Sequence, residues 1–196
     1  MALKSVKQLG SSLVEFMIAV LLGGMALTIV GSVFLSNQKS AAQRSKEIML
    51  LQQMNSVMQQ IKEDIQRAGF DGIATNSMML SGSTTVLYQQ SNAIGYVYRK
   101  TSSQTSNTIY RLNSGMLEYC QNDSSLPIKV VSAAKGCFDL FDPKQIKVTQ
   151  FDINKKVLLG DSAESAFVTI SMKTQLKKDS SVSHAMSLQV QQRNWQ

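Results

Sequence analysis

The side chains whose types could support chemistry are few, and their spacing matches no catalytic motif. The single histidine, His184, lies in a serine-rich stretch without an aspartate or cysteine partner, and we expect it at the surface. Phosphate-binding loops, nucleophile elbows and metal-ligand spacings do not occur in the sequence. Asp139 and Asp142 could contribute to a calcium site, but a turn at Pro143 is the simpler explanation. The sequence therefore predicts a protein that is not an enzyme and has no cofactor or metal.

The two cysteines, Cys120 and Cys137, lie in the polar part of the chain. A zinc site is disfavoured, because there is no CxxC pair and the one histidine is distant in the sequence. The N-terminal segment implies export, and exported compartments are oxidising. We therefore expect a disulfide between the two cysteines, which would stabilise the fold by about 3 kcal/mol through the loop that it closes.

Among the acids, Glu15 has the most unusual surroundings. The stretch from Leu13 to Leu35 is apolar apart from Glu15 and a few small polar residues, and no charged residue follows until after Leu35. About 20 apolar residues in a helix cross a bilayer core of about 30 Å. A carboxylate near the start of a membrane helix is costly, so it requires a partner or a function.

Residues 1–10 carry two lysines, Lys4 and Lys7, and no acid. Positive charge before an apolar span orients the leader toward the cytoplasm and the rest of the chain outside. A conventional secretory signal would have a shorter apolar region and a small-x-small cleavage site, whereas this run passes into a second helical stretch. An uncleaved signal anchor fits the length and orientation, but it leaves Glu15 unexplained.

The segment Gly10-Ser-Ser-Leu-Val-Glu-Phe-Met-Ile-Ala19 resembles the class III signal of type IV prepilins and type II secretion pseudopilins. In that family a prepilin peptidase cuts after a glycine and methylates the new N-terminal amine, and a glutamate occupies the fifth mature position. The resemblance implies cleavage between Gly10 and Ser11, N-methylation of Ser11, and Glu15 at that fifth position. The family usually has phenylalanine first and threonine or serine second, whereas both residues are serine here.

The chemistry of this arrangement is coherent. In an assembled filament, Glu15 of one subunit can neutralise the terminal ammonium of a neighbour inside an apolar helical bundle, where a charge pair is stronger than in water. A glycine at position 10 suits a protease that must approach the backbone closely. The sequence therefore predicts an assembly element rather than a simple anchor.

Beyond the apolar span, the pattern from Asn37 to Gln66 predicts that the helix continues as an amphipathic one. Its apolar residues recur at steps of three and four. The expected stripe consists of Ile48, Leu51, Met54, Met58, Ile61 and Ile65. We interpret its methionines as core packing rather than a metal or peptide site. A helix of this type should lie on a β-sheet.

The helix is predicted to end at Arg67–Gly72, with Gly69 at its C-cap. The segment Ile65-Gln-Arg-Ala-Gly-Phe-Asp-Gly72 resembles the helix-end signature of the PilW family, which includes prepilin peptidase-dependent protein B. The closing Arg193-Asn194 resembles the end of many members of that family. Together the resemblances cover the first 72 residues and the tail.

The rest of the chain has the alternation and composition of β-strands. The predicted strands are Thr84–Gln90, Ala93–Lys100, Thr108–Leu112, Met116–Cys120, Ile128–Ser132, Gln145–Asn154, Ala166–Leu176 and Ala185–Gln192. The tripeptide Asn113-Ser114-Gly115 predicts a hairpin turn. Residues 75–85, 101–107 and 179–183 are predicted to be loops.

The chain is basic, with 20 lysines and arginines against 13 acids and a net charge of +7. Removal of residues 1–10 takes away two lysines and leaves +5. This excess favours anionic partners such as lipid headgroups or nucleic acid. The basic residues are spread out and not interleaved with aromatics, which favours a solvated surface over a nucleic-acid site.

The resemblance implies an α+β, pilin-like fold with a long N-terminal helix, membrane-spanning in its first half, packed on an antiparallel β-sheet. We expect a prepilin leader at 1–10 and a transmembrane or filament-core helix at 11–36. An amphipathic helix should follow at 37–72, and a β-rich periplasmic head at 73–196.

The function implied is that of a minor type IV pilin in the bacterial inner membrane, processed by prepilin peptidase. It would help to initiate a pilus together with other minor and major pilins and the inner-membrane assembly machinery. A type II secretion pseudopilin shares the leader and the architecture and stays an alternative. A DNA-binding or adhesive surface pilin is another, motivated by the +5 charge.

Overall fold

The structure is a computed structural model that describes residues 12–73, 76–160 and 164–194. The chain divides into two compact units, Met1–Ser45 and Lys46–Gln196. One helix, α1 (Leu13–Arg67), contributes to both of them. In the first unit the large apolar side chains of α1 are exposed, for example Phe16 (65%) and Leu27 (74%).

In the second unit α1 buries one stripe of side chains, as predicted, although its members differ in part. The buried residues are Leu50, Met54, Val57, Met58, Ile61, Asp64 and Ile65. Ile48 and Leu51 were expected in this stripe, but they are 54% and 38% exposed. Ile48 precedes Met54 by six residues, which turns it about 120° away from the buried face. Leu50 occupies the buried position instead.

Two antiparallel sheets form the rest of the second unit, where a single sheet was expected. The first has five strands in sequence order: β1 Tyr88–Gln90, β2 Ala93–Thr101, β3 Gln104–Asn113, β4 Met116–Ser124 and β5 Cys137–Asp139. The second has three: β6 Ile146–Leu159, β7 Glu164–Leu176 and β8 Ser183–Gln191. A one-turn helix, α2 (Val130–Ala133), precedes β5.

The buried stripe of α1 packs on both sheets and forms one core with them. Tyr96 and Tyr110 contribute to this core from the first sheet, and Phe151 and Ile170 contribute from the second. A smaller cluster, which includes Leu80, covers the opposite side of the first sheet. The α+β fold, with a long N-terminal helix packed on antiparallel sheets, is therefore confirmed.

The hairpin predicted at Asn113-Ser114-Gly115 is confirmed. Asn113 pairs with Met116, so the loop between β3 and β4 has two residues. Both have positive φ, 52° at Ser114 and 80° at Gly115. This is the pattern of a type I′ turn, whose twist matches that of the flanking strands.

Two of the predicted strands are wrong in whole or in part. Residues 84–87 lie outside β1, which begins at Tyr88. The segment Ile128–Ser132 contains a single bridge at Lys129 and then α2. Here packing overrides β-propensity, because α2 buries Ala133 completely and the Asn122 amide donates to its carbonyl at 2.9 Å.

The loop expected at 101–107 is also wrong for most of its length, since β3 begins at Gln104. Its polar residues Thr105, Ser106 and Asn107 are fully buried. The Thr105 hydroxyl donates to the carbonyl of Ser124 at 3.0 Å, and the Asn107 amide donates to that of Asn122 at 3.1 Å. Hydrogen bonding permits the burial of side chains that composition alone assigns to a loop.

Candidate functional site

Glu15 lies in the first turn of α1, beside the residue that caps the helix. The backbone N–H of Ser12 donates to a Glu15 carboxylate oxygen at 2.9 Å, and the N–H of Phe16 donates to the Ser12 carbonyl at 3.2 Å. This is one half of a capping box, and the partial positive charge of a helix N-terminus favours a carboxylate there. Gly10 and Ser11, the predicted cleavage site, lie outside the described residues.

Beyond Glu15 the first half of α1 satisfies its own polar groups. The hydroxyl of Thr28 donates to the Met25 carbonyl at 2.7 Å, and that of Ser32 donates to the Ile29 carbonyl at 2.8 Å. Internal pairing of this kind is what an apolar solvent requires. In the described part of the chain, α1 is the one helix long and apolar enough to cross a membrane. These features are compatible with a single-pass anchor.

The C-terminal end of α1 is fixed to β2 by Gly69. This residue has φ of 79°, and its N–H donates to the Val97 carbonyl at 2.8 Å. Its own carbonyl accepts from the N–H of Met78 at 2.9 Å. A Cβ atom here would lie 2.6 Å from a methyl group of Val86, so both the conformation and the space require glycine.

Asn194 caps the same helix end from the other terminus of the chain. Its side-chain amide donates to the Ala68 carbonyl at 2.8 Å and to the Arg67 carbonyl at 3.4 Å. The side chain of Gln192 holds Asn194 in place by donating to its carbonyl at 2.6 Å. The last carbonyls of a helix lack partners within it, and here the tail supplies them. The two segments that resemble the PilW family therefore meet in space.

The loop after the helix carries a cation–anion pair that ties it to β2. The Arg99 guanidinium pairs with the Asp71 carboxylate. The backbone N–H of Arg99 donates to the Phe70 carbonyl at 2.7 Å. An open cavity of about 420 Å³ adjoins this junction. It is lined by Gln66, Arg67, Phe70, Tyr98, Arg99, Arg193 and Asn194.

Comparison with protein families matches residues 43–192 to the model of prepilin peptidase-dependent protein B. The match covers more than half of the chain. The chain belongs to this family. Neither the curated proteins nor the solved structures that were compared give a match. Membership in the prepilin peptidase-dependent protein B family implies a pilin-like protein linked to prepilin peptidase, in a family that is generally not enzymatic.

The part matched to the prepilin peptidase-dependent protein B family contains a buried acid that sequence reasoning missed. Asp64 is 6% exposed on the apolar face of α1, where it accepts a hydrogen bond from the Tyr110 hydroxyl. Arg67 lies 3.8 Å from the same carboxylate, and Gln60 donates to the Tyr110 hydroxyl at 3.2 Å. Burial, together with the Asp64 charge, raises the pKa of Tyr110 well above its ordinary value. The sequence did contain a signal for this buried acid, because Asp64 falls between Ile61 and Ile65 of the apolar stripe.

Cys120 and Cys137 form a disulfide across the paired strands β4 and β5 in this member of the family. Glu118 lies close enough to both sulfurs to suggest a metal site. However, the sulfurs are bonded to each other, and thiolates are the form that binds metals. Both oxygens of Glu118 are occupied as well, by Arg111 at 2.6 Å and Asn113 at 2.7 Å. Glu118 and the disulfide therefore have a structural role rather than that of metal ligands.

Asp142, considered above for calcium, forms a turn. Its carboxylate accepts from the Lys144 N–H and from the Gln145 amide, both at 2.8 Å. Asp139 lies in β5 opposite Glu118. His184 was expected at the surface, and this expectation is wrong. The residue lies half-buried in β8, where it pairs with Thr174.

The Asn194 cap is testable with two substitutions. Asn194→Ala should lower the free energy of unfolding by about 1 kcal/mol, because the buried Ala68 carbonyl loses its donor. Asn194→Asp should cost more, since an ionised carboxylate cannot donate and is repelled by a helix C-terminus. The measurement is thermal unfolding of the full chain in detergent, followed by circular dichroism. Arg193→Ala is the control, and equal stability of the aspartate variant and the wild type would contradict the cap.

The surroundings of Glu118 predict a pH dependence. Partial burial works to raise its pKa, but hydrogen bonds from Asn113 and Arg111 outweigh this and hold the pKa below the ordinary 4.5. A lowered pKa gives stability that is present above pH 4.5 and is lost as the pH falls through the folded-state value. Glu118→Gln should therefore be less stable than the wild type at pH 7 and lose less stability below pH 4.5. Parallel curves of melting temperature against pH for the two proteins would refute this.

Proposed function

We propose that this protein is a minor type IV pilin, a substrate of prepilin peptidase that takes part in initiating a pilus. One observation carries the proposal. Glu15 is held in the first turn of an exposed apolar helix, and no other charged residue occurs between Ser11 and Lys39. A simple anchor gains only half of a capping box from this acid, whereas an assembling subunit can also use its charge.

The proposed division of the chain follows from its chemistry. Residues 1–10 are the leader that the peptidase removes, and 11–36 form the segment held first in the inner membrane and then in the filament core. Residues 37–72 carry the helix into the head, and 73–196 form a head on the periplasmic side. Other minor and major pilins and the assembly machinery of the inner membrane are the proposed partners.

The mechanism rests on pairing two opposite charges in apolar surroundings, one of which is created by cleavage. Cleavage after Gly10 converts the amide nitrogen of Ser11 into an amine, which is protonated at neutral pH and would carry a methyl group. One oxygen of Glu15 accepts the Ser12 N–H, and the other can accept from the ammonium of a neighbouring subunit. Because each charge alone is costly in lipid, pairing them favours the register in which both are satisfied.

The proposed function predicts how the chain is processed. The chain expressed with a prepilin peptidase should yield a mature protein beginning at methylated Ser11. Without the peptidase the N-terminus should be Met1, or Ala2 after methionine removal. Intact-mass and N-terminal mass spectrometry distinguish these products. Cleavage beyond residue 30 would overturn the proposal, because it would remove Glu15.

The proposed function also predicts the effect of Glu15 on assembly. Glu15→Ala and Glu15→Gln should be processed like the wild type, since Glu15 lies five positions after Gly10, the residue before the cut. Piliation in a strain that depends on this subunit should fall about tenfold or more, because an ammonium left unpaired in lipid costs about 2 kcal/mol or more. Glu47→Ala, an acid of α1 outside the apolar stretch, is the matched control. Normal piliation with both Glu15 variants would show that the charge pair is dispensable.

A further inference from the structure

The open cavity beside the end of α1 has no part in the proposed function. Every described residue that lines it belongs to the second compact unit, Lys46–Gln196. Its volume of about 420 Å³ lies in the range of about 300–1,000 Å³ that is common for small-ligand sites. Its walls come from four segments, which are the end of α1, the loop after it, β2 and the C-terminal tail.

The lining of this cavity is rich in cations. Three of its described residues are arginines, namely Arg67 of α1, Arg99 of β2 and Arg193 of the tail, and none is an aspartate or glutamate. The tertiary fold brings these arginines together from distant parts of the sequence. A guanidinium presents N–H groups in a planar fork that matches the two oxygens of a carboxylate.

Two of these arginines already have acidic partners outside the lining. Arg99 pairs with Asp71, and this contact holds it in place. Arg67 lies 3.6 Å from Glu63 and 3.8 Å from Asp64. Charge-assisted hydrogen bonds are about 2.7–2.9 Å long, so the two acids attract Arg67 without closely occupying its N–H groups.

The third arginine, Arg193, is exposed, and within residues 12–73, 76–160 and 164–194 it forms no ion pair. The cavity therefore presents one guanidinium whose charge no described acid pairs with. A single unpaired cation is complementary to a single negative charge. A carboxylate carries one such charge, whereas a phosphate monoester carries about 1.5–2 at neutral pH.

Two aromatic rings form the apolar part of the lining. Phe70 is 50% exposed, and a Cβ atom at Gly72 would lie 2.9 Å from its Cζ atom, so the glycine leaves room for this ring. Tyr98 is half-buried and lies nearly parallel to Tyr96, with ring centroids 6.4 Å apart and an angle of 21° between the planes. Such rings offer flat faces on which another flat apolar group can pack.

The end of α1 works against an anion, because the last carbonyls of a helix carry partial negative charge. Here the side-chain amide of Asn194 donates to the carbonyls of Ala68 and Arg67. Their charge is therefore met by N–H groups of the tail, and the nearby guanidiniums add positive charge. The balance at the lining favours an anion.

We propose that this cavity binds a small organic acid, in which one carboxylate is joined to a flat apolar group. Arg193 and Arg67 donate to the carboxylate, while Phe70 and Tyr98 contact the flat group. A small ligand is favoured over a protein partner because the charged and apolar groups converge on a cavity, whereas protein interfaces of standard size bury about 800 Å² on each partner. This binding goes beyond the processing and assembly role of Glu15 and does not depend on it.

Four small probes test the chemistry of the site by saturation-transfer NMR on the full chain in phosphatidylcholine nanodiscs, with empty nanodiscs as the blank. Phenylacetate has both required parts and should bind with a dissociation constant of about 1 mM, as expected for so small a ligand. Phenylacetamide lacks the charge and acetate lacks the ring, so each should bind at least about tenfold more weakly. Phenyl phosphate should not bind more tightly than phenylacetate. No saturable binding of phenylacetate, equal binding of the amide, or tighter binding of phenyl phosphate would each refute the proposal.

Protein variants locate the binding. Arg193→Ala should weaken phenylacetate at least about tenfold and bring the acid and the amide to within about twofold of each other, because the unpaired charge is gone. Arg193→Lys keeps the charge without the fork and should lie between the alanine variant and the wild type. Phe70→Ala should weaken the acid and the amide alike. Lys156→Ala, an exposed cation of β6 outside the lining, is the matched control. An unchanged preference for the acid over the amide in Arg193→Ala would contradict the assignment.

Two further measurements separate the small acid from other occupants. The peptide acetyl-Asp-Phe-amide presents a carboxylate and a ring as a protein segment would, and binding at least about tenfold tighter than that of phenylacetate would assign the cavity to a protein partner instead. Trp195 and Gln196 follow Asn194 and lie outside the described residues. A chain that ends at Asn194 should bind phenylacetate as the full chain does. Binding that appears only in the shortened chain would show that the tail itself competes for the cavity, and would overturn the proposal.

Discussion

The packing of one stripe of α1 on two separate sheets is the contact on which the rest of the second unit depends. A three-stranded sheet and a five-stranded sheet each expose an apolar face, and the side chains from Leu50 to Ile65 fill the space between these faces. Each fully buried leucine, isoleucine or methionine contributes about 1.5–3 kcal/mol. Asp64 lies inside this contact, where hydrogen bonding to Tyr110 compensates its burial and defines how the first sheet meets the helix.

That contact makes the end of the helix important. A helix used as the central element of a core must stop at a defined residue, because both sheets pack on it. Gly69 turns the chain onto β2, and Asn194 returns from the far terminus to satisfy the last carbonyls. The segments that resemble the PilW family are therefore the two halves of one structural device, whose role is to lock the helix to the head.

The acid for which we propose a role in assembly lies away from this core. Glu15 places one charge at the start of an apolar helix, where the Ser12 N–H donates a single hydrogen bond to its carboxylate. A carboxylate in apolar surroundings favours a partner of opposite charge. Under the proposed function, a neighbouring subunit supplies that partner.

Features that depend on neighbours along the chain were predictable from the residues alone. Hydropathy and helical period identified α1, Glu15 stood out as the acid of an apolar span, and Asn113 to Gly115 identified a hairpin turn. Features that depend on residues far apart in the sequence emerged only from the folded arrangement. Burial of Leu50 in place of Ile48 follows from the rotation of α1 on the sheets, and strand structure at Thr105 to Asn107 follows from partners in β4. The cap from Asn194 was equally out of reach, because a hydrogen bond between residues over a hundred positions apart leaves no local periodicity to read.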